Sequence, residues 1–180
     1  MFAKVFLSAL LMLGLSGTAM AAEREDLAIF HDVSKQVQRY VYFTMFDTVS
    51  ADVDNGIVVL TGKVTMPYKA TDIARQVAKV DGVRQVHNRI ETLPVSQFDD
   101  NLRLSIARAL YSHPALHQYG LGVNPSIHVI VERGRVTLDG VVNNDSDRSI
   151  AHQITRSFGA FETKNELKTS AEMKVELEKL

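Results

Sequence analysis

The chain has 180 residues, no cysteine, and 20 basic against 21 acidic side chains, for a net charge of −1. That balance excludes the basic excess of an ordinary nucleic-acid binder. The missing cysteine excludes disulfide stapling, attachment of lipid through sulfur and a thiol nucleophile, so burial alone must hold the fold together.

Residues 1–21, MFAKVFLSALLMLGLSGTAMA, carry one lysine, then an apolar run from Val5 to Leu15, then Ala19-Met20-Ala21. This is the order of a secretory signal peptide, with cleavage expected after Ala21. The apolar run is too short to cross about 30 Å of hydrocarbon at about 1.5 Å per residue, and no later segment is apolar enough to span. Loss of the leader with Lys4 leaves 159 residues with net charge −2. That length allows one ordinary domain or two small ones.

The mature chain is written twice. Ile29, Val33, Val37 and Tyr40/Val41 recur at helical spacing and lead into RYVYFTMFD (39–47), whose aromatic residues read either as core or as a binding surface. A strand follows at 48–53, with Val49, Ala51 and Val53 on one face. Asn55-Gly56 makes a tight turn because both residues tolerate positive φ, and the second strand runs over 57–64. Ala70, Ile73, Val77 and Val80 mark a second helix that Gly82 stops, and a last strand covers 83–92. The linker LPVSQFDD (93–100) then offers Asp99 or Asp100 as the cap of the next helix.

In the second copy VERGRVTLDGVV (131–142) repeats VDNGIVVLTGKV (53–64) at a shift of 78, so Val53, Gly56, Leu60, Gly62 and Val64 return as Val131, Gly134, Leu138, Gly140 and Val142. At a shift of 77, Ile73-Ala74 matches Ile150-Ala151, Gly82 matches Gly159 and Asn88 matches Asn165. Upstream, a shift of 69 pairs Val33, Val37 and Val41 with Leu102, Ile106 and Leu110, which calls for a nine-residue insertion within SHPALHQYGLGVNPS (112–126). The last strand, about 160–168, is the weaker copy, with Thr163 in the place of Val86. Residues 171–180 form a charged tail with Met173, Leu177 and Leu180 at helical spacing.

Each copy therefore reads as αββαβ, over 22–94 and 95–170, and the fold class is α+β. The strand–helix–strand crossover makes the last strand parallel to the second. Placing it beside the first strand gives a three-stranded mixed sheet with both helices on one face. Gly62 and Gly140 lie mid-strand, where a close approach is expected, and are read as the place where a helix meets the sheet. The face turned away from the helices carries Ser50, Asp52, Ile57, Val59 and Thr61 in copy one. In copy two it carries His128, Ile130, Arg135, Thr137 and Asp139. Ile57 and Val59 would be bare there, so the other copy or a second protomer is expected to cover that face.

Nothing in the chain points to catalysis. There is no phosphate loop and no G-x-S-x-G, and His113 and His117, four apart, are separated by Pro114, which disrupts a helix. No metal or cofactor is expected. His128 reads as a solvent or inter-domain position.

The pattern V-x-x-G-x-V-x-L-x-G-x-V at 131–142 and 53–64, the Ile-Ala pairs, and G-V-x-x-V-x-N-x-I at 82–90, echoed by GAFETKNEL at 159–167, resemble the BON domain of bacterial envelope proteins. The tandem arrangement is similar to osmotically induced periplasmic proteins. The resemblance implies a periplasmic, non-enzymatic protein that binds phospholipid surfaces under osmotic or envelope stress. The partner would be anionic phospholipid or an envelope protein, the other reading being a chaperone-like module. Candidate contacts are Leu116, Tyr119 and Leu121 of the insertion, Ile57 and Val59 of the open face, and Lys69, Arg75 and Lys79 of the second helix. Structural roles are expected for Gly56, Gly62, Gly82, Asn88, Gly134, Gly140, Gly159 and Asn165.

Overall fold

A computed structural model of the chain describes residues 16–122 and 124–178. The core of the expected signal peptide, residues 1–15, and Leu180 of the tail lie outside the described residues. The first unit consists of α1 (Ser16–Gln38), β1 (Thr48–Asp54), β2 (Ile57–Val64), α2 (Pro67–Val77) and β3 (Gln85–Thr92). α1 buries Ile29, Val33 and Val37, one per turn. Val41, which the sequence reading set on the same stripe, is 79% exposed because the helix ends at Gln38, and Tyr40 takes the buried place instead. At the β1–β2 turn Asn55 (φ 50°) and Gly56 (φ 74°) are both left-handed, as a two-residue hairpin requires.

β1 runs antiparallel and β3 parallel to β2, in the order β1-β2-β3. The parallel direction agrees with the crossover rule. The neighbour differs from expectation, because β3 lies against β2 and not against β1. β2 is thereby central, and its Val58, Leu60 and Val64 are fully buried beneath the helices. A position beside β1 would have left this apolar strand at an edge.

The second unit repeats the plan with α3 (Gln97–Ser112), a short 3-10 turn (His117–Gly120), β4 (Ile127–Glu132), β5 (Arg135–Val142) and α4 (Asp145–Arg156). Its last strand comes in two pieces, β6 (Glu162–Asn165) and β7 (Lys168–Thr169), both parallel to β5. Between them Leu167 turns into the core. The tail forms α5 (Ser170–Leu177), opened by a Thr169–Glu172 capping box and tied back by Arg148 to Glu172 at 2.9 Å. Asn88 and Asn165 play one part twice. Each donates to a carbonyl of the preceding helix region (Ala70 and Arg148) and accepts the amide two residues on.

The structure departs from three further expectations. A Cβ on Gly62 would stand 2.1 Å from the Thr48 carbonyl oxygen, and one on Gly140 2.0 Å from that of Ser126. The close approach is strand to strand, with no helix involved. The cap of α3 is Ser96, which accepts from the Asp99 amide at 3.2 Å. Asp99 itself is buried and accepts the Arg133 and Gly134 amides at 2.8 Å each, which ties the hairpin turn to the helix. Asp26 grips Asn55 and Gly56 in the same way, at 2.7 and 2.9 Å. Asp26 and Asp99 are 73 apart while the hairpins are 78 apart, so the insertion is five residues, not nine. The shift of 69 was one helical turn out of register, an error that 3.6-residue periodicity conceals.

Candidate functional site

Lys69 cannot meet a headgroup. It is only 4% exposed and its ammonium lies 2.6 Å from the Asp47 carboxylate, itself fully buried. Its spacing accounts for this, since Lys69 stands four residues before Ile73 and eight before Val77, on the inner face of α2. Asp47 also accepts the Thr65 amide (2.7 Å) and hydroxyl (2.9 Å) and the Thr44 amide (2.8 Å) and hydroxyl (2.7 Å). Burial alone would raise this carboxyl, but the bonds from Lys69, Thr65 and Thr44 outweigh it and hold it below the usual carboxylate range.

The insertion turns inward for a related reason. Leu116 and Tyr119 are buried, and only Leu121, 63% exposed, faces out. The Tyr119 hydroxyl accepts the Asn143 amide at 2.8 Å and donates to Asp147 at 2.5 Å. Asn143 is the repeat partner of Thr65. The amide that enters the second helix is thus satisfied by a carboxylate in one copy and by a phenol in the other. The five extra residues bring that phenol into place, so Leu116 and Tyr119 belong to the core of the second unit.

On the open face Ile57 is exposed and Val59 half-buried. The other unit does not cover them. Coverage runs the other way, since residues 43–47, in the connector between α1 and β1 of the first unit, lie over the second. The Met45 carbonyl accepts the Val129 amide at 2.7 Å, and Met45 and Phe46 pack on the second core. The Phe43 ring lies 5.4 Å from the His128 ring. Thr48 bonds Asp139 and Lys63 bonds Glu132 across the same seam. Ile130 is buried there, and His128 takes an inter-unit position.

Arg75 on α2 and Lys79, which falls two residues past the end of that helix and not on it as expected, are exposed and adjoin an apolar surface that sequence reading did not assemble. Val41, Tyr42, Met66 and Tyr68 are all at least 49% exposed. Tyr42 packs edge-on against Tyr40 at 5.7 Å and against Tyr68 at 6.1 Å. Tyr40 is the buried anchor, its hydroxyl donating to Asp72 at 3.1 Å. Burial, with Asp72 beside it, pushes that hydroxyl up to about 12, so it stays a neutral donor. A depression of about 500 Å³ runs between Tyr42 and the cations Arg39, Arg75 and Lys79. Tyr68 and Met66 were legible only as positions off the apolar stripe of α2. A second exposed apolar group, Val95 with the stacked Phe98 and Phe161 rings 6.3 Å apart, lies on the second unit.

Compared with known families, residues 32–94 and again 98–170 match the model of the BON domain. The chain is a tandem BON-domain protein. BON domains are non-enzymatic binding modules, typical of envelope-associated proteins. No curated protein matches the chain. Among solved structures it is similar to CdsD, a structural protein of the type III secretion system of Chlamydia trachomatis, with 14% identity over 82% of this chain and 97% of that one and a TM-score of 0.26. The C-terminal domain of CdsD matches with 13% identity over 76% of this chain and 94% of that one, at a TM-score of 0.27. Among the described residues of this BON protein no helix is long and apolar enough to cross a membrane.

Proposed function

We propose that this protein is a periplasmic binding protein that docks on anionic phospholipid of the envelope, in response to osmotic or envelope stress. One observation carries the reading: exposed Tyr42, Tyr68 and Val41 share a surface of the first unit with Arg39, Arg75 and Lys79. Tyrosine suits a membrane interface because its ring is apolar and its tip is wet. Each cation near an anionic surface contributes about 1 kcal/mol, less for Arg75, which already pairs with Asp72 at 3.0 Å, and salt weakens the attraction. Ile57, Val59 and Leu121 remain exposed or half-exposed outside this surface and serve as controls.

The test is co-sedimentation of residues 22–180 with phosphatidylglycerol-containing and pure phosphatidylcholine vesicles at low and high salt. Binding is expected on the anionic vesicles at low salt. It should fall at least tenfold in Tyr42→Ser/Tyr68→Ser and in Arg39→Glu/Arg75→Glu, and stay unchanged in Leu121→Ser. Absence of binding by the wild type on every vesicle would overturn the lipid reading.

A further inference from the structure

His128 occupies the seam between the units, on the β4 face turned away from the helices and opposite Asp139 of β5. The seam is a cleft of about 470 Å³ whose walls come from both units. Among the described residues only two buried side-chain polar atoms lack a hydrogen-bond partner, His128 Nδ1 and Asn124 Oδ1, and both residues line this cleft. The amide nitrogen of Asn124 is committed to the Gln38 carbonyl, so its oxygen is fixed as an acceptor with no donor. The backbone of Thr44 and Asp47 in the connector lies beside the imidazole and favours its proton, and the Phe43 ring lies against it. A neutral ring can leave Nδ1 as a bare lone pair at modest cost. A second proton on Nδ1 would be buried with no acceptor facing that atom, which costs far more.

The charges that face the ring do not remove that cost. Asp139, on β5, is the only other titratable residue lining the cleft, and it favours the proton. Its Oδ2 already accepts from Thr48 and its Oδ1 from the Gly140 amide at 2.8 Å. Asp47, in the connector, also favours the proton, but its charge is matched by Lys69. α1 contributes Ser34 and Gln38 and β1 contributes Thr48, all uncharged. Burial prevails, and His128 is held below its ordinary range.

We propose that the joint between the two BON units is an acid-released latch, closed when His128 is neutral and loosened when His128 takes a proton. Each unit has its own core, so the seam can part without unfolding either. The closed seam binds the proton less tightly than the open one. Closure therefore has its full advantage above the ordinary imidazole value of about 6.5 and loses it as pH falls from there through the depressed value. The latch is independent of the lipid reading.

The test uses residues 22–180 and two measurements by NMR. The first is the titration of the His128 ring. The second is the protection factor of the Val129 amide, which bonds Met45 across the seam, with the Ile130 amide, turned toward β5 by strand alternation, as internal control. A His128 midpoint below the ordinary value is expected, with Val129 protection falling at least tenfold between pH 7.5 and 5.0 while Ile130 changes little. His128→Gln and His128→Phe should flatten the Val129 response over that range. A midpoint at or above the ordinary value would overturn the latch, and so would variants that lose protection as steeply as the wild type. If the variants fail to close at neutral pH, the wild-type titration still decides.

Discussion

Asp47 gathers five donors around one carboxylate, from Thr44, Thr65 and Lys69. Removing it strands a buried ammonium and two amides together, so Asp47→Ala should destabilise the first unit by about 3–5 kcal/mol. Lys69→Met should cost less, because four donors would still serve the carboxylate. Denaturant unfolding of the two variants checks the order. The carboxyl is held below its ordinary range, so its contribution is present above about pH 4 and is lost as pH falls through the depressed value. Tyr119 does the corresponding work in the second unit, and acid should melt the first unit before the second. Lys69 could have been placed from its helical spacing alone. The Asp47 cluster could not, because its donors come from segments that no local pattern relates.

At the level of elements, most of the repeat was legible because alternation and helical spacing report which side of a segment is apolar. They carry no information about which flank of β2 the third strand takes, nor about a shift of one whole helical turn, and both readings failed there. The insertion shows the same limit. Pro114, Gly120 and apolar side chains look alike whether a loop projects or folds inward. Its structure leads to a sharp contrast. Tyr119→Phe should lower stability by about 1–3 kcal/mol, since it removes the donor to the buried Asp147 carboxylate and the acceptor of the Asn143 amide, while Leu121→Ser should change it by less than about 0.5 kcal/mol. Gly140→Ala should cost more than about 1 kcal/mol, because φ is 120° and the Ser126 carbonyl occupies the space. Thermal unfolding of the three variants separates these outcomes.

The molecule as a whole is not a symmetric pair. The first unit lends residues 43–47 to the second and receives no matching cover over Ile57 and Val59. Phe46→Ala should therefore loosen the second unit, although the residue belongs to the first. Residue-resolved hydrogen exchange should find the largest loss of protection in β4 and α3, with β2 and α2 little changed. Hydropathy pointed to an apolar outer face in copy one, yet the connector covers copy two, where a histidine and an aspartate gave no apolar signal. The Met45–Val129 bond has one more consequence. IHVIVE, the sequence of β4, is short, β-branched and low in charge, which is the composition that seeds cross-β assembly when its flank is free. Met45 occupies that flank from within the same chain. The connector thus stands as a guard against polymerisation, and whatever parts the two units also exposes the segment best suited to recruit a second molecule.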